Sequence, residues 1–254
     1  MCKIRVTIWN EFRHEKSNET VKKLYPEGMH KAIADGIAAD DLEIRLASLD
    51  EPQNGLSPEI LGQTDVLMWW GHCHHQDVAD EVVKRVHQRV LEGMGLIVLH
   101  SGHKSKIFMA VTGASCSLKW REVAEKERVW TVEPSHPIAA GVGEHFDISN
   151  SEMYGERFDI PQDGEIIFMS WYEGGEVFRS GVTFKRGHGK VFYFSPGHET
   201  YPIYYNPEVL KVLSNSVRWA KPVYWGKTNC PNVKPLEAIA TKEIDLSYLP
   251  SRLK

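Results

Sequence analysis

Histidine is unusually frequent in this chain, with 12 residues among 254, and several sit where chemistry would want them. The segments Trp69-Trp70-Gly71-His72-Cys73-His74-His75, His100-Ser101-Gly102-His103 and Pro196-Gly197-His198-Glu199 each follow an apolar run that reads as a strand. His14 and His30 flank the loop after another such run and the start of its helix. Imidazole ligates transition metals and titrates near neutral pH, so a group of them serves either metal or proton chemistry. His72 and His75 are three apart and face the same way on a helical turn, and His103 and His198 would complete the shell from neighbouring strands. That set predicts a divalent transition metal, zinc first, which would acidify a bound water or polarise a carbonyl. No HExxH signature supports it. His87, His145 and His188 lack strand-end context and read as ordinary polar residues, and His136 as the shaper of a Ser-His-Pro turn.

A second constellation is Glu152-Met153-Tyr154-Gly155-Glu156, whose two carboxylates could serve as general acid and base if the segment folds over the crevice. They could equally be solvated loop charges. Lys119, Arg121 and Arg179 are cations beside aromatic residues, and with His30, Trp70 and Tyr154 they make a candidate set for binding a polyhydroxylated ligand. Such residues also suit an ordinary domain seam, and Trp69-Trp70 also fits a buried strand. Leu99-His100-Ser101-Gly102-His103 has the outline of a strand-turn-helix nucleophile elbow without the G-x-S-x-G pattern. A hydrolase using Ser101 and His198 is therefore an alternative.

The elements that must position these groups read as an α/β domain. KIRVTIW (3–9), the alternating DLEIRLAS (41–48), 66–70, LIVLH (96–100), 165–171, 177–184 and 190–195 read as strands. Helices are expected over 26–39, after Ser57-Pro58, over 77–94, 104–111, and from Asn206-Pro207 to Ala220. The β-α-β opening predicts a mostly parallel, doubly wound sheet, which binds ligands beyond its strands' carboxyl ends. The stretch 116–160 reads as an irregular insertion folded over the sheet. One domain is expected over 1–222, with 223–254 as a tail packed on the body or on a partner subunit, a weak hint of a homo-oligomer.

Composition narrows the function. A net charge of −4 without a basic block argues against nucleic acid. No apolar run approaches the ~18 residues of a membrane span, and no signal-like segment opens the chain. Cys2, Cys73, Cys116 and Cys230 form no CxxC pair, so disulfides and a zinc ribbon are poorly supported and a cytoplasmic setting is expected.

Taken in order, WWGHCHH, VLHSGHKSKIF, LKWREVAEKERVW, SEMYGERFDIP, GGEVFRSG and FYFSPGHETYPIYYNPEV resemble the ThuA-like trehalose-utilisation family, over nearly all of the chain to about residue 222. The resemblance implies a flavodoxin-like fold akin to class I glutamine amidotransferases. Those enzymes carry a cysteine at the elbow and a His-x-Glu pair after a later strand. Here His100 or Ser101 stands at the first place and His198-Glu199 at the second, so amidotransferase chemistry is not expected. The resemblance further implies a role in using trehalose or a related keto-disaccharide, beside a sugar oxidoreductase. No G-x-G-x-x-G follows a strand, so no nucleotide is expected on this chain. The expected chemistry is acid–base work on such a sugar, as an isomerase, lyase or hydrolase. His72, His75, His103 and His198 would be ligands or electrophiles, Glu152, Glu156 and Glu199 proton carriers, and Lys119, Arg121 and Arg179 would orient hydroxyls. A non-catalytic sugar-binding or regulatory protein is the remaining alternative.

Overall fold

A computed structural model describes residues 3–240 and 242–253; Cys2 lies outside them, while Cys73, Cys116 and Cys230 are free thiols. In chain order the elements are β1 (Ile4–Asn10), α1 (His14–Ser17), α2 (Glu19–Leu24), α3 (Met29–Ile37), β2 (Leu42–Ser48), α4 (Pro58–Gly62), β3 (Val66–Trp70), α5 (Asp80–Glu92), β4 (Gly95–Leu99) and α6 (Lys106–Thr112). They continue with β5 (Lys119–Thr131), β6 (His145–Gly155), β7 (Glu165–Tyr172), β8 (Val177–Arg186), β9 (Gly189–Phe194) and α7 (Pro207–Ala220). Expected helix starts are found: the Ser57 hydroxyl accepts from the Ile60 amide, and the Asn206 side chain accepts from the amides of Glu208 and Val209.

All nine strands join one sheet in the order β2-β1-β3-β4-β9-β8-β7-β5-β6. Strand parity sorts the side chains. Ile8, Met68, Trp70, Ile97, Leu99, Phe192 and Phe194 face one way, onto α3 and α7. Trp9, Leu67, Trp69, Leu96, Val98, Val191 and Tyr193 face the other, onto α5 and α6. Strands covered on both faces must be apolar at every position, which is why these segments read as unbroken hydrophobic runs.

The expectation of a mostly parallel sheet is corrected. Of the eight pairings, β1 with β2, β1 with β3, β3 with β4 and β4 with β9 are parallel. The other four, among β9, β8, β7, β5 and β6, are antiparallel. The expected irregular insertion is in fact β5 and β6, the two longest strands. They were hidden because KWREVAEKERVWT has no apolar alternation. Its register also breaks between Arg121 and Glu127, where Ala124 takes φ +57°.

The tail begins along the body: the Gly226 amide donates to the Glu92 carbonyl, Gln88 donates to the Thr228 hydroxyl, and Arg89 lies 4.2 Å over the Trp225 ring. Val233, Leu236, Ile239, Ile244 and Tyr248 farther on are exposed.

β5 also buries a carboxyl. Glu127 is fully enclosed and accepts from Ser170 (2.5 Å), Ser151 (2.7 Å) and Tyr172 (3.2 Å). Burial raises its pKa above the usual carboxylate range. The folded chain therefore keeps a proton that the unfolded chain releases. Stability through this group is full below the unfolded pKa and declines as pH rises through the folded one. Glu127→Gln should remove that decline, so urea midpoints of variant and parent should diverge in the variant's favour from about pH 5 to about pH 8. A difference that stays flat with pH would show an ionised carboxylate that the three hydroxyls fully support.

Candidate functional site

The parallel strands end in register. Asn10 pairs with Trp70, Trp70 with Leu99, and Leu99 with Phe194. The next residues of each chain segment therefore rise together from one rim: Glu11 to His14, Gly71 to His75, His100 to His103, and Ser195 to Glu199. From the far side, β5 and β6 present alternate residues to the same space. Trp120 pairs directly with Tyr154, and Glu122 and Glu152, two residues away on each strand, share their face. The result is a cleft of about 300 Å³ lined by His72, His75, Ser101, His103, Lys104, Trp120, Glu122, Glu152, Tyr154 and His198. A larger groove of about 520 Å³, beside Lys185, Lys190 and Trp219, lies at the amino end of β9, the wrong end of the sheet for these groups.

The structure brings together most of the histidines picked out by their strand-end positions. Imidazole centroids lie 5.7 Å apart for His72 and His198, 5.1 Å for His14 and His72, and 5.4 Å for His100 and His198. His100, absent from the expected catalytic and metal sets, is central. It is 1% exposed and takes φ +48°, a left-handed conformation uncommon outside glycine. Its strand-end position was visible in the sequence, but no residue pattern marked that backbone angle.

Hydrogen bonds assign the protons. A carbonyl can only accept, so His100 Nδ1, 2.7 Å from the Ser195 carbonyl, must carry a hydrogen. The same holds for His103 Nδ1, 2.6 Å from the Cys116 carbonyl. In the neutral rings both Nε2 atoms are then bare. His198 is the reverse. Its Nδ1 accepts the Thr200 amide at 3.2 Å, so Nε2 carries the proton. All three rings are neutral because burial drives each pKa down to about 3. Burial likewise lowers His75 to about 4.

Two carboxyls complete the centre. Glu152 Oε2 lies 3.0 Å from His100 Nε2, and burial raises the Glu152 pKa. As two acceptors, these atoms would oppose each other; Glu152 Oε2 has no donor among the described residues. One proton on Glu152, donated to His100 Nε2, satisfies both. Tyr154, whose hydroxyl lies 3.3 Å from the same nitrogen, stacks on the ring at 4.8 Å. Glu199 sits among His14 (3.7 Å), His72 (3.6 Å) and His198 (3.8 Å). Burial raises its pKa to about 7. Glu11, also overlooked, anchors the 72–74 loop by accepting the backbone amides of His72, Cys73 and His74.

Other expected site residues are placed elsewhere. Trp70 is buried in the core and donates to the Gly197 carbonyl, so it offers no ring to a ligand. His30 is buried against Asn10 and Phe12. Arg121 is held by Glu125 and Glu176, and with Lys119 it has the opposite strand parity from Trp120. Glu156 lies past the end of β6, where Arg179 grips it in an ion pair at 2.8 Å. Both are thereby engaged with each other rather than with the cleft. Of the expected metal set, only His198 belongs to the tight donor group His100, Glu152 and His198, whose ligand atoms lie within 4.8 Å of one another. A second such group is His14, His72 and Cys73. Ser101 has His72 as its imidazole neighbour, at 2.9 Å, instead of His198, and its hydroxyl donates to the Gly71 carbonyl at 3.1 Å.

A half-parallel sheet with a polar centre at its strand ends places the chain in the glutamine amidotransferase-like fold class. A glutamine amidotransferase from Thermotoga maritima superposes with a TM-score of 0.50 at 12% identity, over 86% of this chain and 97% of that one. Within that class, a family model described as ThuA, trehalose utilisation, matches residues 5–220, and the chain belongs to the ThuA family. A structure described as a ThuA-like protein from Bacteroides uniformis has a TM-score of 0.60 at 14% identity, covering 86% of this chain and 91% of its own. A protein described as cytoplasmic from Salmonella typhimurium has a TM-score of 0.60 at 13% identity, covering 86% and 100%. No curated protein matches the chain. Among the described residues no helix is long and apolar enough to cross a membrane.

The proton assignment is directly measurable. Long-range ¹⁵N NMR should find His100 and His103 protonated at Nδ1 and His198 at Nε2, none of them titrating above about pH 5. Because the folded pKa values are depressed, stability from these rings is full above the unfolded value near 6.5 and falls as pH drops toward about 3. A His198 ring protonated at Nδ1 would overturn the assignment.

Proposed function

We propose that this protein is an acid–base enzyme acting on a keto-sugar, of the kind that oxidation of trehalose or a related disaccharide supplies. One observation carries the reading: neutral imidazoles of opposite tautomer face the same cleft. His198 offers an Nε2–H, and His103 offers a bare Nε2. A carbonyl oxygen at His198 would receive a hydrogen bond that strengthens as negative charge develops on it. His103 Nε2 would take the proton from the adjacent carbon as negative charge develops on the substrate beside it, a charge that offsets the burial holding its pKa down, and the C–H electron pair would move into the enolate. The buried Glu152–His100 pair holds a proton that can be returned to carbon or to a leaving oxygen. A neutral imidazole is the better donor here, since it can release charge stabilisation to the transition state without first fixing a cation.

Amidotransferase chemistry has no support. The strained strand-end residue is His100, Cys116 is buried with its thiol pKa raised by burial, and Cys73 is exposed. A Ser101–His198 hydrolase lacks its pairing. A second reading, a divalent metal such as zinc, is favoured by the clustering of His100, Glu152 and His198. His100 Nε2 and Glu152 Oε2, 3.0 Å apart, would fit it once the proton between them is lost. His198 fits less well, because Thr200 occupies its Nδ1 and its Nε2 is protonated. Bound there, a metal would polarise the same carbonyl.

In D₂O, the keto derivative of trehalose should acquire deuterium next to its carbonyl, or be isomerised or cleaved, as followed by NMR. His198→Gln should slow this by about 10²–10³-fold. No change in the keto-sugar over the uncatalysed rate would end the proposal. Elemental analysis of untagged protein separates the two readings. The metal reading requires near-stoichiometric transition metal, and it fails below roughly a tenth of an equivalent with no stability gain on adding metal.

A further inference from the structure

The cleft opens to solvent, and an aromatic residue stands at its mouth. Trp120 is 66% exposed, the most exposed of the described tryptophans. Trp9, Trp69 and Trp70 are buried, Trp130, Trp219 and Trp225 each lie beneath a cation, and Trp171, 38% exposed, lies outside the cleft. Among the described residues no ring or cation stacks on Trp120. Exposing an indole forgoes burial of a large apolar face, so a position that does so in a catalytic cleft is best explained by what it receives. Its strand partner Tyr154 stacks on His100, so Trp120 stands on the same face one layer outward from the proton-carrying pair. Lys104 and Glu122 flank the same opening and offer a donor and an acceptor to hydroxyls.

We infer that Trp120 is a specificity-determining residue: its indole face forms an outer subsite that stacks on the non-reacting ring of a disaccharide, while the keto ring sits below against His198 and His103. The inference rests on the keto-sugar reading above. It follows from shape and surface chemistry. A pyranose has one comparatively apolar C–H face that packs on an aromatic plane while its equatorial hydroxyls reach polar neighbours. A ring seated against His198 and His103 places its partner toward the opening of the same cleft, where Trp120 stands.

Dissociation constants for the keto derivatives of trehalose and of glucose, measured on the full chain and on Trp120→Ala and Trp120→Phe, test it. The parent should prefer the two-ring ligand. Trp120→Ala should reduce that preference about tenfold, and Trp120→Phe should keep most of it. An unchanged preference in Trp120→Ala, or equal weakening of both ligands, would overturn the outer subsite alone. If the parent binds neither ligand, the keto-sugar reading falls and the subsite with it. Trp120 is solvent-facing, so matching thermal melts for the three proteins are expected and verify that the comparison is between folded chains.

Discussion

The hydrogen bond from His100 Nδ1 to the Ser195 carbonyl ties the end of β4 to the end of β9 at 2.7 Å, and much of the centre follows from it. It fixes which ring nitrogen is bare. It holds a non-glycine residue at positive φ, an arrangement supported from the other side by Tyr193, whose hydroxyl donates to the His100 carbonyl at 3.0 Å. It also aims Nε2 at Glu152, on a strand from the antiparallel half of the sheet. The parallel half supplies the histidines with Glu11 and Glu199, the antiparallel half supplies Glu122, Glu152, Trp120 and Tyr154, and this imidazole is where they meet. The change of direction at β9, parallel to β4 and antiparallel to β8, brings both sets to one rim.

The same arrangement runs against stability. Three buried imidazoles, His100, His103 and His198, and three carboxyls, Glu11, Glu152 and Glu199, are crowded into a space where burial disfavours charge. The centre relieves the cost by neutrality instead of pairing. His100, His103 and His198 are held uncharged, burial pushes the Glu152 pKa up beside His100 Nε2, and only Glu11 finds three amide donors. An orphaned atom remains at Glu199 Oε2. Buried polar atoms without partners are costly to keep, and a cleft is one of the few places where a ligand can repay them.

Legibility from sequence divides along the same line. The parallel half could be read because strands covered on both faces are apolar throughout, and because helices between them are capped by Ser57 and Asn206. The histidines after those strands were therefore placed correctly at one rim. β5 and β6 could not be read, since a solvated strand with bulges and charged residues carries no period-2 signal. Missing them meant missing strand parity. Glu152 was picked for its spacing and Tyr154 for ligand binding, and both reach the cleft, whereas Arg121 and Lys119 were picked for charge and face away. Glu156 was paired with Glu152 for a spacing of four, which would share a face in a strand too, but β6 ends at Gly155 and Glu156 lies beyond it on Arg179.

Tautomers lie beyond any sequence reading, because they depend on what each ring nitrogen meets after folding. His103 finds the carbonyl of Cys116, a residue itself at φ +52°, and His198 finds an amide two residues along its own chain. One contact is long-range and the other local, yet together they decide that one imidazole accepts and the other donates. Had both met carbonyls, the cleft would hold two bases and no donor. Had both met amides, it would hold two donors and no base. The chemistry open to this fold is thus set less by the number of histidines at the rim than by the backbone groups standing behind them.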